Sequence, residues 1–276
     1  MTDKAHRNTD KILSKLEKHI KQEYTKAYRE VKEELQKIMM KLDLNPDMPP
    51  AQRLLLANKK DRLTNLAKVM ADVIKNANAE AVKYINNDMV NVYKLNYDFA
   101  GQELGFSVLD KTAVKNILKE EANPFTKLAI DAEKDANAIR RKLTSELTTS
   151  LLKGESIPQM AKRIKGVTER SLADSVRIAR TETTRVEAQA RYDVGKKGEK
   201  MGFTMMKRWV ATTDDRTRPE HNSADGQEVP IDEPFIVGGE KMMFPADFSL
   251  GASPWNTINC RCTMINVIKE DGKTEK

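Results

Sequence analysis

The chain has 276 residues, of which 39% are hydrophobic and 32% charged, with a formal net charge of +7. No stretch approaches the ~20 uncharged apolar residues of a membrane-spanning helix, and no apolar run follows the charged first residues, so neither a membrane protein nor a secretory leader is expected. The positive excess lies in residues 1–200, whereas residues 201–250 are net acidic; so mild a charge suits solubility as well as a nucleic-acid partner.

Special residues are unevenly placed. None of the 12 glycines precedes Gly101, while both tryptophans (Trp209, Trp255) and both cysteines (Cys260, Cys262) follow residue 200. Early on, Leu13, Leu16, Ile20, Tyr24, Ala27, Val31, Leu35, Ile38 and Leu42 recur at helical spacing and predict one helix of about 30 residues. Asn45-Pro46 and Pro49-Pro50 end it. Its single apolar stripe must be covered by other helices or by another chain. A second helical run spans residues 51–96, and Asn76, Asn78, Asn86, Asn87 and Asn91 predict a break inside it. Further helices are expected over 110–121, stopping before Asn123-Pro124, and over 125–152, stopping at Gly154.

Ser156 and Pro158 mark another helix start. The pattern predicts a short helix over 159–164, a stop at Gly166 and a longer helix over 168–194. Such a pair reads either as a DNA-reading helix-turn-helix or as an ordinary pair of an α domain. On the longer helix Arg177, Arg180, Thr181 and Thr184 share a face. Together with Arg163, Lys165, Lys196 and Lys197, that stripe is either a surface for DNA phosphates or a solvated helix edge.

After Gly195 and Gly198 the period becomes that of strands. Residues 205–212 read as a strand with Trp209 on one side and Arg208 and Val210 on the other. Strands over 234–237 and 241–244 flank a Gly238-Gly239 turn, and Asp225-Gly226 forms another turn. A last strand is expected over 257–267, with Cys260 and Cys262 on one face and Arg261 on the other. A β-rich module of about 65 residues has a small core and gains from a staple. His221, Cys260, Cys262 and Asp215 are candidate zinc ligands; two buried thiols beside a loop-bound histidine are the alternative. The cysteines are poorly spaced for a mutual disulfide, and with no leader they predict a reduced, cytoplasmic chain. Asp214, Asp215, Arg216, Glu220 and His221 could serve a metal-dependent hydrolase. They could equally fix a loop, with Asp215 as turn acceptor and Arg216 as bidentate donor. No phosphate-binding loop, dinucleotide-binding glycine pattern or His-Glu-x-x-His motif is present.

One ordered set of residues is more specific than any of its parts: Ala179-Arg180-Thr181-Glu182, Trp209, Asp215-Arg216-Thr217-Arg218 with His221, Asp225-Gly226, Phe235, Phe244-Pro245 and Ile258-Asn259-Cys260-Arg261-Cys262. It resembles the phage Mu F-like minor head protein family, also called phage head morphogenesis proteins, over about residues 150–268. The resemblance makes Arg180, Glu182, Trp209, Asp215, Arg216, His221, Gly226 and Arg261 signature positions. It implies an α+β protein, with a helical region over 1–150, the family domain over 151–268 (helical over 151–200, β-rich over 203–268) and a tail over 269–276. It further implies a structural, non-enzymatic minor capsid protein of a tailed phage or prophage, made in the host cytoplasm and placed in the capsid interior. Its expected partners are the portal, the scaffold and major capsid proteins, and double-stranded DNA. Some members carry a C-terminal toxin or enzyme domain, for which little chain remains after Ile268. The alternative function is a metal-dependent hydrolase or toxin-like enzyme using Asp215 and His221.

Overall fold

A computed structural model describes residues 3–41, 48–58, 62–105 and 132–269. The helix expected over 110–121 lies outside them, as do the start of the one expected over 125–152 and residues 270–276. The described chain is α+β: long helices α1 (Lys4–Lys41), α2 (Pro50–Asn58), α3 (Arg62–Glu103), α4 (Ala132–Leu152) and α5 (Ile157–Lys200), then short strands and turns. No described helix is long and apolar enough to cross a membrane.

Three helix boundaries differ from expectation, each for a tertiary reason. Helix α1 starts well before Leu13. Asp3 Oδ1 accepts the His6 backbone N–H at 2.8 Å as an N-terminal cap, and the first turns bury His6 and Thr9, polar residues that an apolar stripe does not reveal. The break in the second helical run falls between α2 and α3, not among the asparagines. Asn78 is buried in α3 and accepts a hydrogen bond from the Tyr24 hydroxyl, which offsets its low propensity. Helix α5 runs unbroken through both Gly166 and Gly195, so the described chain holds no helix-turn-helix at Gly166.

The chain forms two compact units. The helical unit comprises Glu17–Tyr84 and Leu128–Val176. The predicted α1 stripe is its spine: Ile20, Tyr24, Ala27, Val31 and Leu35 are buried, as are Leu66, Met70 and Ile74 of α3, Leu143 and Leu147 of α4, and Met160 and Ile164 of α5. Tyr24 adds a polar knot there, its hydroxyl lying 2.8 Å from Ser175 Oγ.

The mixed unit comprises Met1–Leu16, Ile85–Lys127 and Arg177–Lys276. Its antiparallel sheet has the order β2–β1–β5, from β1 (Met205–Val210), β2 (Glu228–Pro230) and β5 (Thr263–Ile268). A separate hairpin pairs β3 (Phe235–Val237) with β4 (Glu240–Met242) through the predicted Gly238-Gly239 turn. Two one-turn helices, α6 (Pro219–Ser223) and α7 (Pro254–Thr257), complete it. Alternation on β1 is as predicted, with Trp209 buried and Arg208 exposed. The final strand is shorter than expected: residues 254–257 form α7, and Cys260, Arg261 and Cys262 precede β5. Trp209, Phe235, Val237, Met242 and both cysteines share one core cluster.

Gly195 shows why a glycine sits inside α5. A Cβ there would stand 2.5 Å from Ile231 Cδ1 and 2.8 Å from Asn266 Oδ1, so the sheet packs where only a hydrogen fits. The glycine that reads as a stop signal in the sequence is a contact point.

Candidate functional site

The cysteine-bearing loop between α7 and β5 is held from three directions. From α5, the Thr184 hydroxyl donates to the Cys260 carbonyl at 2.6 Å, and Thr181 Oγ1 accepts the Asn259 N–H at 3.0 Å. From the end of β1, the Thr212 hydroxyl donates to the Arg261 carbonyl at 2.5 Å. From the start of α6, Arg218 donates to the Ile258 carbonyl at 2.7 Å and lies over the Trp255 ring at 5.4 Å. Asn259 takes a left-handed φ of 56°, which turns the chain so that both thiols point inward.

This loop meets His221, which Pro219 places on the single turn of α6. His221 Nδ1 lies 3.4 Å from Cys262 Sγ and 3.6 Å from Cys260 Sγ, and all three residues are buried. The Trp209 ring meets the imidazole edge-on at 5.8 Å between centroids. Cys260 and Cys262 act on each other. The hydrogen bond from the Cys260 thiol, then that of His221 and an N–H from Thr212, push Cys262 down to about 5, while the same partner and burial push Cys260 up.

Asp215 does not join this cluster; it is exposed. The carboxylate that organises the loop is its neighbour Asp214, which receives both Arg261 terminal nitrogens at 2.5 and 2.6 Å, the Arg216 N–H at 3.1 Å and the Thr217 hydroxyl at 3.1 Å. Arg261, not Arg216, is therefore the bidentate donor, and the Arg216 side chain is largely in solvent. The turn acceptor is thus Asp214 in place of the expected Asp215, and the bidentate donor is Arg261 in place of the expected Arg216. Arg261 holds the Asp214 carboxyl far below the usual carboxylate range. Gly226, another signature position, has φ 76° and donates its N–H to the Trp209 carbonyl at 3.0 Å, while Asp225 accepts the Ala211 N–H at 2.8 Å. Only a residue without Cβ takes that turn cheaply.

The basic stripe divides by chemistry. Thr181 and Thr184 face the cysteine loop, while Arg177 and Arg180 are exposed on α5. Glu182 is buried, with Arg185 Nε 3.0 Å away, and burial raises its pKa. Arg163 clamps Glu155 at 2.7 Å and reaches Glu146 at 3.4 Å. Lys165 pairs with Glu169 at 3.0 Å. Lys196 pairs with Glu199 at 2.5 Å and with Asp232. Lys197 is half-buried.

Two further arrangements had no sequence signal. Glu187, at the centre of a buried network, is 2.7 Å from His6 Nδ1, 2.6 Å from Thr263 Oγ1 and 3.4 Å from Arg191. Arg191 also binds Asp3 at 2.5 Å and Asn96 at 2.9 Å and donates to the Met264 carbonyl at 3.1 Å. Apart from the i,i+4 pair of Glu187 and Arg191, the partners are distant in sequence, so no local pattern links them. Lys207, on the buried face of β1, donates to the Met243 carbonyl at 2.7 Å and lies 5.0 Å from the Tyr192 ring and 5.1 Å from that of Phe235. Burial pushes it down to about 8.

Residues 141–265 match the family model described as Phage Mu protein F like protein. Over these residues the chain is similar to the phage Mu F-like domain. The resemblance carried by the ordered signature is thereby shown, and Glu182, Trp209, His221, Gly226, Arg261 and both cysteines all serve its loop and core. Among curated proteins, the NAD(+)--arginine ADP-ribosyltransferase EFV of Enterococcus faecalis (strain ATCC 700802 / V583) is 33% identical over 130 residues, which is 47% of this chain and 26% of that protein. The minor head protein GP7 of Bacillus phage SPP1 is 27% identical over 278 residues, covering 94% of this chain and 84% of its own length. The chain thus spans about a quarter of the first relative and most of the second. No solved structure matches it.

Proposed function

We propose that this phage Mu F-like protein is a minor capsid protein of a tailed phage or prophage, acting in head morphogenesis, docking on the portal and lying inside the capsid with the scaffold and major capsid proteins as neighbours. The alignment with a minor head protein along 94% of the chain carries this reading, because it includes the long helices as well as the family domain. The ADP-ribosyltransferase match reaches only 26% of that protein, which supports a shared module in preference to a shared activity. A metal-dependent hydrolase has less support: exposed Asp215 stands outside the group formed by His221, Cys260 and Cys262.

Genome contact belongs to the same proposal but rests on a smaller surface than the sequence suggests. Arg163, Lys165 and Lys196 are paired with carboxylates and Arg177 and Arg180 have partners as well, so phosphates would compete with existing contacts. Arg177 and Arg180 are the exposed arginines of the α5 stripe. Replacing one phosphate-binding arginine makes the slope of log affinity against log salt shallower by about 1. The decisive experiment is co-purification of the full chain with the portal protein from the same genome, together with mass spectrometry of purified heads. Recovery in heads and portal complexes supports the reading; absence from both overturns it.

A further inference from the structure

We propose that His221, Cys260 and Cys262 bind one zinc ion, with His221 Nδ1 and the two sulfurs as protein ligands and water on the fourth vertex. A tetrahedral zinc with Zn–S near 2.3 Å and Zn–N near 2.05 Å sets its ligand atoms about 3.5 Å apart for N···S and about 3.8 Å for S···S. The two N···S separations here are 3.4 and 3.6 Å, and all three ligand atoms lie within 4.8 Å of one another. Both N···S separations thus match the corresponding edges of a zinc tetrahedron.

The supports of these ligands resemble the outer shell of a metal site. The Thr184, Thr212 and Thr181 hydroxyls and the Arg218 guanidinium fix the backbone from Ile258 to Arg261, on both sides of Cys260 and just before Cys262. The Thr184 and Thr212 hydroxyls hold the carbonyls of Cys260 and of Arg261 between the two cysteines. Hydroxyl donors of this kind aim the thiolates without adding charge. Two thiolates neutralise the charge of the cation, which suits a buried site. Two soft sulfurs and an imidazole in a tetrahedral array favour zinc over calcium, magnesium or manganese. The rival pairing, a disulfide, is disfavoured by the one-residue spacing of the cysteines. The ion would join α6, the loop before β5 and the Trp209 core of this small module.

The test uses the full chain purified without chelators. Elemental analysis is expected to give about one zinc per chain, with X-ray absorption showing two sulfur and two lighter scatterers. Cobalt exchanged into the site is expected to show tetrahedral absorption with thiolate charge transfer. His221→Cys keeps the metal, whereas His221→Gln lowers zinc content at least ~10-fold. Because a ligand variant can unfold the module, Thr184→Val is the second arm. It touches no metal, leaves helical circular dichroism unchanged and weakens zinc affinity about 10- to 100-fold. A wild-type chain that refolds in excess zinc yet holds less than ~0.1 ion per chain overturns the proposal. So does an oxidised Cys260–Cys262 pair in the native protein.

Discussion

The helical unit and the cysteine-bearing module of the mixed unit reach stability by different routes. In the former, buried side chains repeat along α1 and α3 at one spacing, so stability is shared among many similar apolar positions. In the latter, a few side chains carry the structure: Trp209 fills the core, Asp214 and Arg261 close the loop, and threonine hydroxyls hold backbone carbonyls. A pattern made of repeats is legible and tolerant, whereas one made of single long-range contacts is neither.

The largest test of that contrast is a core substitution in each unit. Trp209→Ala is expected to cost about 3–5 kcal/mol, while Ile74→Leu in α3 keeps volume and is expected to cost less than ~1.5 kcal/mol. Chemical denaturation followed by circular dichroism measures both. Similar costs would remove the distinction between a tolerant and an intolerant core.

The next test lies within α5. Gly166→Ala meets nothing within 4 Å, so helix propensity alone acts and stabilises by about 0.5–1 kcal/mol. Gly195→Ala drives a methyl into Ile231 and Asn266 and is expected to destabilise by about 1–3 kcal/mol despite the same propensity gain. Thermal melts of the two variants should shift in opposite directions, and a rise for Gly195→Ala would show that the sheet gives way.

The smallest test is the pH profile of stability, which the buried charges of the mixed unit control. Burial opposes charging of His6, but Glu187 outweighs it and raises the pKa above 6.5. The folded chain therefore holds that proton more tightly, and the stabilisation, full below 6.5, is lost as pH rises through the folded value. Burial lowers Lys207 from 10.5 to about 8. There the unfolded chain holds the proton more tightly, so stability rises from about pH 8 towards 10.5. Denaturation midpoints across pH should flatten at the lower end in His6→Gln and at the upper end in Lys207→Met. Unchanged profiles would place the pH response outside the mixed unit.

The expected zinc ligands illustrate how far the sequence reaches. His221, Cys260 and Cys262 were identifiable because so few soft ligands exist in the chain, and the structure brings these three together. The adjacent acids Asp214 and Asp215 look alike in the sequence until a partner such as Arg261 selects one. Thr181 and Thr184 looked like part of a basic stripe because helical spacing reveals a shared face but not what that face meets.

By itself, then, the sequence determined the helical period of α1, the change to strand alternation after residue 200, the buried side of Trp209 and the family signature. These depend on neighbours along the chain, whose spacing follows from the geometry of helix and strand. The tertiary structure alone decided that α5 passes through Gly166 and Gly195, that Asp214 pairs with Arg261, and that Asp3, His6, Glu187 and Arg191 form one buried network. Those outcomes depend on which distant groups meet once water is excluded, because a buried polar atom must find its partner wherever the fold supplies one.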